Sequence, residues 1–361
     1  MRRSSIVLLV VGALLLAAAG VLRFAVYPQI DRLPSNYDRT ATYSGSGSFL
    51  NPAAIASGNA ANALLIDQPV TVTRRAKVTG TSGSTAVVSD QLTARLRNGT
   101  TVLSNVHVWA IDRGSMDAAP APGGASADPH QGLTIGFPIG VQQRTYAYWD
   151  AGTQQAVPAL FQRAEAFRGR SADVFTVTAS GPLKDPKLLA ALPASLPTSV
   201  LGAVASLLPP NVQSLLKSLG PALPAALALS YTSTTKLTGW IDAGTGLPLD
   251  VRQQQTVVAG LSLAGTTQPV LPVISYSIEN TNDSINQAVH DATSAGVTLT
   301  LLGVTAPLVL LVLGVLVIAW AVWAALRPRR RPAASAGVSG APAGGPRAPD
   351  SPDPPAGAPP V

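Results

Sequence analysis

VVSDQLTARLRNGTTVLSNVHVWAID, Val87 to Asp112, decides the fold class. Val88, Leu92, Ala94 and Leu96 alternate with Ser89, Gln91, Thr93, Arg95 and Arg97. A period of two places the first set on one face of a strand and the second on the other. Asn98-Gly99 then supplies the residues of a two-residue hairpin turn, and a return strand is expected from Thr101 to about Ile111. Upstream, PVTVTRRAKVTG, Pro69 to Gly80, repeats the pattern, with Val70, Val72, Ala76 and Val78 on one side. Further strands are expected at Arg144–Asp150, Ala164–Arg168, Val174–Ala179, Tyr231–Asp242, Leu249–Val258 and Ile274–Ile278. Hairpin links imply antiparallel pairing, so the fold is expected to be mainly β, a sandwich or partly closed barrel.

Two apolar runs flank this body. Ile6 to Leu22 is uncharged, and the segment 6–27 is long enough to cross a bilayer. A cleaved signal peptide is the rival reading, with Arg2-Arg3 ahead of the run and Ala17-Ala18-Ala19 as the small-residue site. The run continues past that site, which favours an uncleaved anchor. Val297 to Leu326 holds no charged residue and is followed by Arg327, Arg329, Arg330 and Arg331. Thirty helical residues span about 45 Å, more than a hydrocarbon core requires, so a tilt or an interfacial turn is expected, with Pro307 as a place for a kink. Asp283–Ala295 reads as a helix leading in, with Gly296 as a stop.

The pI near 10.0 invites a nucleic-acid reading, which the charge distribution opposes. Residues 28–296 carry 17 Lys/Arg against 16 Asp/Glu. The excess lies outside the apolar runs, which by the positive-inside rule puts both termini in the cytoplasm and residues 28–296 outside. The tail, 327–361, is Pro/Ala/Gly/Ser-rich and is expected to be disordered. Residues 113–132 read as an exposed loop. The chain has no cysteine, which removes disulfides and thiolate chemistry.

Asp-Ala-Gly-Thr occurs twice, at Asp150–Thr153 after Trp149 and at Asp242–Thr245 after Trp240. Between strands this is turn chemistry. Asp bonds nearby backbone and Gly152, Gly244 and Gly246 can take positive φ. A calcium loop would need more acidic residues at alternate positions. His107, His130 and His290 show no ligand spacing, no nucleophile elbow occurs, and SGSGS at Ser44–Ser48 lacks the features of a phosphate or dinucleotide loop. The expectation is a protein that is not an enzyme and carries no cofactor and no metal.

The insert Pro186–Leu229 is rich in Leu, Ala and Pro, with Lys187 and Lys217 as its charges. Thr198 and Asn211 read as N-caps of short helices. It is expected either to cover an open end of the β body or to act as a lid for an acyl chain, with Val204, Leu208, Leu215 and Leu219 as candidate ligand contacts.

FPIGVQQRTYAYWDAGTQQAVPALFQRAEAFRGRSADVF, Phe137 to Phe175, resembles the signature region of an actinobacterial envelope family with two membrane anchors. YTSTTKLTGWIDAGTGLPLDV, Tyr231 to Val251, resembles its second hallmark. Some members carry the label PorA-family porin, and the resemblance covers roughly residues 5 to 325. It implies a cell-envelope protein in the cytoplasmic membrane that binds or hands over a lipid or glycolipid, with a lipid transporter or biosynthetic enzyme as partner. An envelope scaffold without ligand is the alternative, ahead of a porin, because strands with outward Thr, Arg, Gln and Lys do not suit a lipid-facing barrel.

Overall fold

The computed structural model describes residues 3–51, 54, 57, 59, 62–198, 208–220, 224–263 and 266–327. Its body is one curled antiparallel sheet. The strands are β1 (Asp38–Leu50), β2 (Leu64–Ser82), β3 (Thr85–Leu96), β4 (Thr101–Asp112), β5 (Tyr146–Asp150), β6 (Gln155–Phe167), β7 (Arg170–Pro182), β8 (Ser195–Pro197), β9 (Ala226–Asp242), β10 (Pro248–Leu263) and β11 (Thr266–Asn280). Their order is β4-β3-β2-β1-β11-β10-β9-β7-β6-β5, with β8 added on β9. The mainly β expectation therefore holds, in its partly closed barrel form. On β2, Val70, Val72, Ala76 and Val78 are buried while Thr71, Arg75 and Lys77 are exposed. Asn98-Gly99 closes the β3–β4 hairpin, with Gly99 at φ 84° and Leu96 N–H donating to Thr100 O at 2.9 Å.

β1 is a strand that alternation did not announce. Its centre is the SGSGS stretch, and it pairs with β2 on one side and β11 on the other. A Cβ at Gly45 would overlap the Ser277 backbone of β11, so the glycine permits the close approach that joins the first and last thirds of the sheet.

Residues 113–132 are irregular and largely exposed, as expected of a loop, and the connector they begin is also packed along both edge strands. Ala119 N–H donates to Ala110 O at 2.9 Å, and Asp128 N–H to Val108 O at 2.7 Å, both on β4. Farther on, Leu133 N–H reaches Ala147 O at 2.9 Å on β5. Met116, Leu133, Ile135 and Phe137 anchor it in a core that includes Trp109, Ile111, Phe175 and Val177. Widely spaced apolar anchors in a Gly/Pro-rich stretch give no periodicity, which is why the segment reads as free loop.

The N-terminal helix α1 (Arg3–Val21) continues through a π turn, Leu22–Val26, into α2 (Tyr27–Ile30). At the other end α5 (Asn282–Thr300) passes through a second π turn, Leu301–Thr305, into α6 (Ala306–Leu326). The spans Ser4–Ile30 and Asn282–Leu326 are long and apolar enough to cross a membrane. Gly296 does not stop the helix, since it lies inside α5 and lacks the positive φ of a helix-terminating glycine. The π turn lies just ahead of Pro307, whose missing N–H and ring would otherwise break the ladder, and Arg23 Nη1 donates to Gly303 O there at 3.5 Å. The two helices pack closely. Added Cβ atoms at Gly12 and Gly314 would meet Ile318 and Leu16, and one at Gly303 would meet the Tyr27 ring.

The insert forms α3 (Pro186–Ala190), β8 and α4 (Pro210–Leu219). Asp185 caps α3, accepting from Lys187 N–H at 3.0 Å. Asn211 is not an N-cap, because the helix already begins at Pro210, where proline's missing N–H costs nothing. The helix expected after Thr198 falls on 199–207, outside the described residues. Leu188, Leu208, Val212 and Leu227 are buried in a core with Phe49, Val257, Leu261 and Val270.

Candidate functional site

The two Asp-Ala-Gly-Thr segments lie in turns, one between β5 and β6 and the other between β9 and β10. In the first, Asp150 Oδ2 accepts from Thr153 N–H at 2.8 Å and Thr153 Oγ1–H at 2.7 Å. In the second, Asp242 Oδ1 accepts from Thr245 N–H at 2.9 Å and Thr245 Oγ1–H at 2.8 Å. The carboxylate bridges its own turn, the local bonding that favours Asp there. The glycine expectation is corrected in detail. Gly152 and Gly244 do not have positive φ; the left-handed residue is the one after Thr, Gln154 at φ 51° and Gly246 at φ 71°. At Gly246 a Cβ would also overlap the carbonyl oxygens of Phe137 and Pro138.

Their surroundings differ. Asp242 also receives Arg170 Nε at 2.8 Å and Arg170 Nη2 at 3.0 Å, and Arg170 Nη2 reaches Ala292 O of α5 at 3.3 Å. Asp150 faces a polar cavity of about 130 Å³ in the concave side of the sheet. There Arg74 holds Asp90 with bonds of 2.8 and 2.7 Å, and Trp109 Nε1 adds a third at 3.2 Å. Burial works to raise the Asp90 carboxyl, and the Arg74 guanidinium outweighs it, leaving the pKa below the ordinary value. His107 stacks on Trp109 and bridges Asp128, 3.0 Å from Nδ1, and Asp185, 3.4 Å from Nε2. Lys187 Nζ completes the cluster, 2.6 Å from Asp128. His130, expected in a free loop, lies between Ala110 O and Gly132 O at 3.0 and 3.2 Å. Among the described residues no group of three or more His, Asp or Glu is arranged to hold a metal.

A cavity of about 780 Å³ lies where the two long helices join the β body. Its apolar walls come from Ile30, Leu33, Ile135, Phe137, Leu247 and Leu299. Arg32, Arg39 and Arg113 also line it, as do Asp38 and Asp291. Arg113 is 7% exposed; its Nε donates to Leu33 O at 2.7 Å, and Leu33 N–H returns a bond to Arg113 O at 2.7 Å. Among the described residues it has no carboxylate partner. Among the described residues Arg32 bonds only Gln29, through the carbonyl at 3.0 Å and the side-chain oxygen. Burial, and after it the positive field of Arg32, push the Arg113 pKa down. Asp38 is committed to Arg75 at 2.5 Å, and Asp291 lies 4.0 Å from Arg39.

Sequence reading placed the ligand contacts elsewhere. Leu208 is buried in the core at the far end of the sheet; Val204 lies outside the described residues. Leu215 and Leu219 are on the α4 backbone. The cleft residues come from five separate stretches and carry no local motif. Their one signal was a pair of arginines, Arg32 and Arg39, just after the first apolar run.

A curled β sheet carried on a pair of apolar helices defines the class. A model of the family described as Porin PorA matches residues 4–323, and the chain belongs to that family. No curated protein matches. Among solved structures the chain is similar to a putative MaoC domain protein dehydratase from Chloroflexus aurantiacus, at 13% identity, covering 74% of this chain and 80% of that one, with a TM-score of 0.14. It is also similar to a conserved hypothetical protein with a double hotdog fold from Mycobacterium tuberculosis, at 12% identity, covering 68% and 76%, with a TM-score of 0.14. TM-scores this low carry neither fold nor activity across.

Proposed function

We propose that the protein is a non-enzymatic membrane protein that binds a lipid or glycolipid in the cleft at the base of its β domain, on the outer side of the cytoplasmic membrane. The observation that carries the reading is the cleft itself. A cavity of about 780 Å³ is the size of a small-molecule site and opens where the apolar helices enter the domain. A lipid can thus keep its acyl chains along α1 and α6 while its polar end enters protein. The arginines that follow Leu326 support cytoplasmic termini. The insert, which buries Leu188, Leu208, Val212 and Leu227 against the sheet, suits a cover for its far end.

The test is lipid analysis of the full chain purified in mild detergent. Wild type should retain about one lipid per chain, and Ile139→Trp, which fills the cleft, should retain much less with an unchanged melting temperature. A wild-type chain free of lipid would overturn the reading. Stoichiometric capture of one envelope protein by that lipid-free chain would favour a scaffold. Unitary conductance steps from the purified chain in planar bilayers would favour a pore.

A further inference from the structure

We infer that the cleft selects a lipid with an anionic, phosphate-bearing headgroup, held by Arg113 and Arg32. The inference rests on the lipid reading above and adds the headgroup's chemistry. It comes from charge accounting among the groups that line the cleft. Of the five charged side chains there, Asp38 is neutralised from outside the cleft by Arg75 and Lys77, at 2.5 and 3.8 Å. Arg39 and Asp291 offset one another at 4.0 Å, and His290 Nδ1 lies 3.9 Å from Asp291 as well. That leaves Arg32 and Arg113, both positive and close enough for the charge of Arg32 to depress the pKa of Arg113.

Burying an unpaired guanidinium is costly, and burying it beside a second one is more so. Arg113 is over nine-tenths buried, yet among the described residues its side-chain bonding is confined to the Nε contact with Leu33 O. Its terminal nitrogens are left to the cleft. A planar guanidinium matches phosphate oxygens with two parallel bonds, and Arg32 adds a second positive fork at the rim. The pair of hydrogen bonds between Leu33 and Arg113 fixes this fork relative to the chain leaving α2, so headgroup capture is geometrically tied to the first membrane helix. The source of the phosphate is the membrane lipid, because Ile30, Leu33 and Leu299 continue the apolar wall from the cleft onto the helices.

The experiment uses the detergent-solubilised full chain, offered equimolar phosphatidylglycerol and phosphatidylcholine and read by native mass spectrometry. Wild type should favour phosphatidylglycerol by about tenfold or more, the scale of one charge-assisted contact. Arg32→Gln, a half-buried position whose loss leaves the core intact, should reduce the preference several-fold. Arg32→Gln with Arg113→Gln should bring it to about one. Arg252→Gln removes a positive charge on the sheet away from the cleft and should keep the wild-type preference, which excludes a net-charge effect. Equal retention of both lipids by wild type would overturn the anionic selection and leave the lipid reading standing. Retention of neither would overturn both. Displacement of phosphatidylglycerol by millimolar inorganic phosphate would overturn the lipid as the source of the anion.

Discussion

Two identical tetrapeptides in this chain should respond differently to the same conservative substitution. Asp→Asn keeps the shape of the side chain, removes the charge and turns one acceptor oxygen into a donor. At Asp150 one oxygen, Oδ2, takes both Thr153 bonds. In Asp150→Asn the new amide can therefore occupy the Oδ1 position, facing the polar cavity, and nothing that holds the turn is lost. The expected cost is about 0.5 kcal/mol or less. At Asp242 both oxygens are used. Oδ1 accepts from Thr245 twice and from Arg170 Nη2, and Oδ2 accepts from Arg170 Nε. In Asp242→Asn, whichever way the side chain is turned, its amide donor faces another donor. Asp242 is 1% exposed, so water cannot repair the mismatch. A broken buried pair costs about 3–5 kcal/mol, and the partial exposure of Arg170 lowers the expectation to about 2–3. Thermal unfolding of the full chain in detergent, followed by near-ultraviolet circular dichroism, reads both variants. Equal destabilisation of Asp150→Asn and Asp242→Asn would refute the reasoning, because only the bonding environment separates them.

Gly246→Ala should destabilise by about 1–3 kcal/mol, since it combines positive φ with overlap on two carbonyls, while Gly244→Ala should be nearly neutral; the same melting assay compares them. Asp250→Asn should stabilise the protein by about 1 kcal/mol at neutral pH, because Asp250 Oδ1 is buried without a partner. Burial raises this carboxyl above its ordinary 3.8, so its penalty is absent below that value and grows as pH rises through the raised folded value; the gain from the substitution should vanish in melts near pH 3. Gly314→Leu should separate α1 from α6, since the space beside Gly314 is filled by Leu16, and should be seen as lost cross-linking between cysteines placed on the two helices.

How much of this could be read from sequence follows from the kind of interaction involved. Strands such as β2 and β3, with one buried and one wet face, announce themselves through alternation. β1 stayed hidden because Ser and Gly have low strand propensity and its glycines are required by the approach of β11, a partner more than 200 residues away. The turn role of Asp-Ala-Gly-Thr was legible from local chemistry. The position of the left-handed residue was not, since Gln154 and Gly246 share that backbone conformation without sharing a residue type. The cleft was illegible for a similar reason. Arg113 is one arginine in a Gly/Pro-rich stretch until the fold places it against Leu33, buries it and surrounds it with already paired acids.

The location of that cleft follows from how the two long apolar helices are fastened to the sheet. α5 is bound to the β body at several points: Thr42 N–H donates to Ser284 Oγ at 2.8 Å, Arg168 Nη2 to Asn282 Oδ1 at 2.7 Å, and the Asp242–Arg170 pair reaches Ala292 O. It then continues without a break into α6, so the second apolar helix extends the sheet's own scaffold. The N-terminal apolar helix has a slimmer attachment at the cleft, the paired bonds between Leu33 and Arg113, and otherwise leans on the second helix through Gly12, Gly314 and the Tyr27–Gly303 contact. One wall of the cleft is therefore rigid with the β domain, and the other is rigid with α1 and α2. Any change in the packing of the two helices must act on the space between those walls. On the proposed headgroup site, a lipid held by Arg113 would touch a residue that links the two walls, and occupancy of the cleft would then be coupled to the relative setting of the helices.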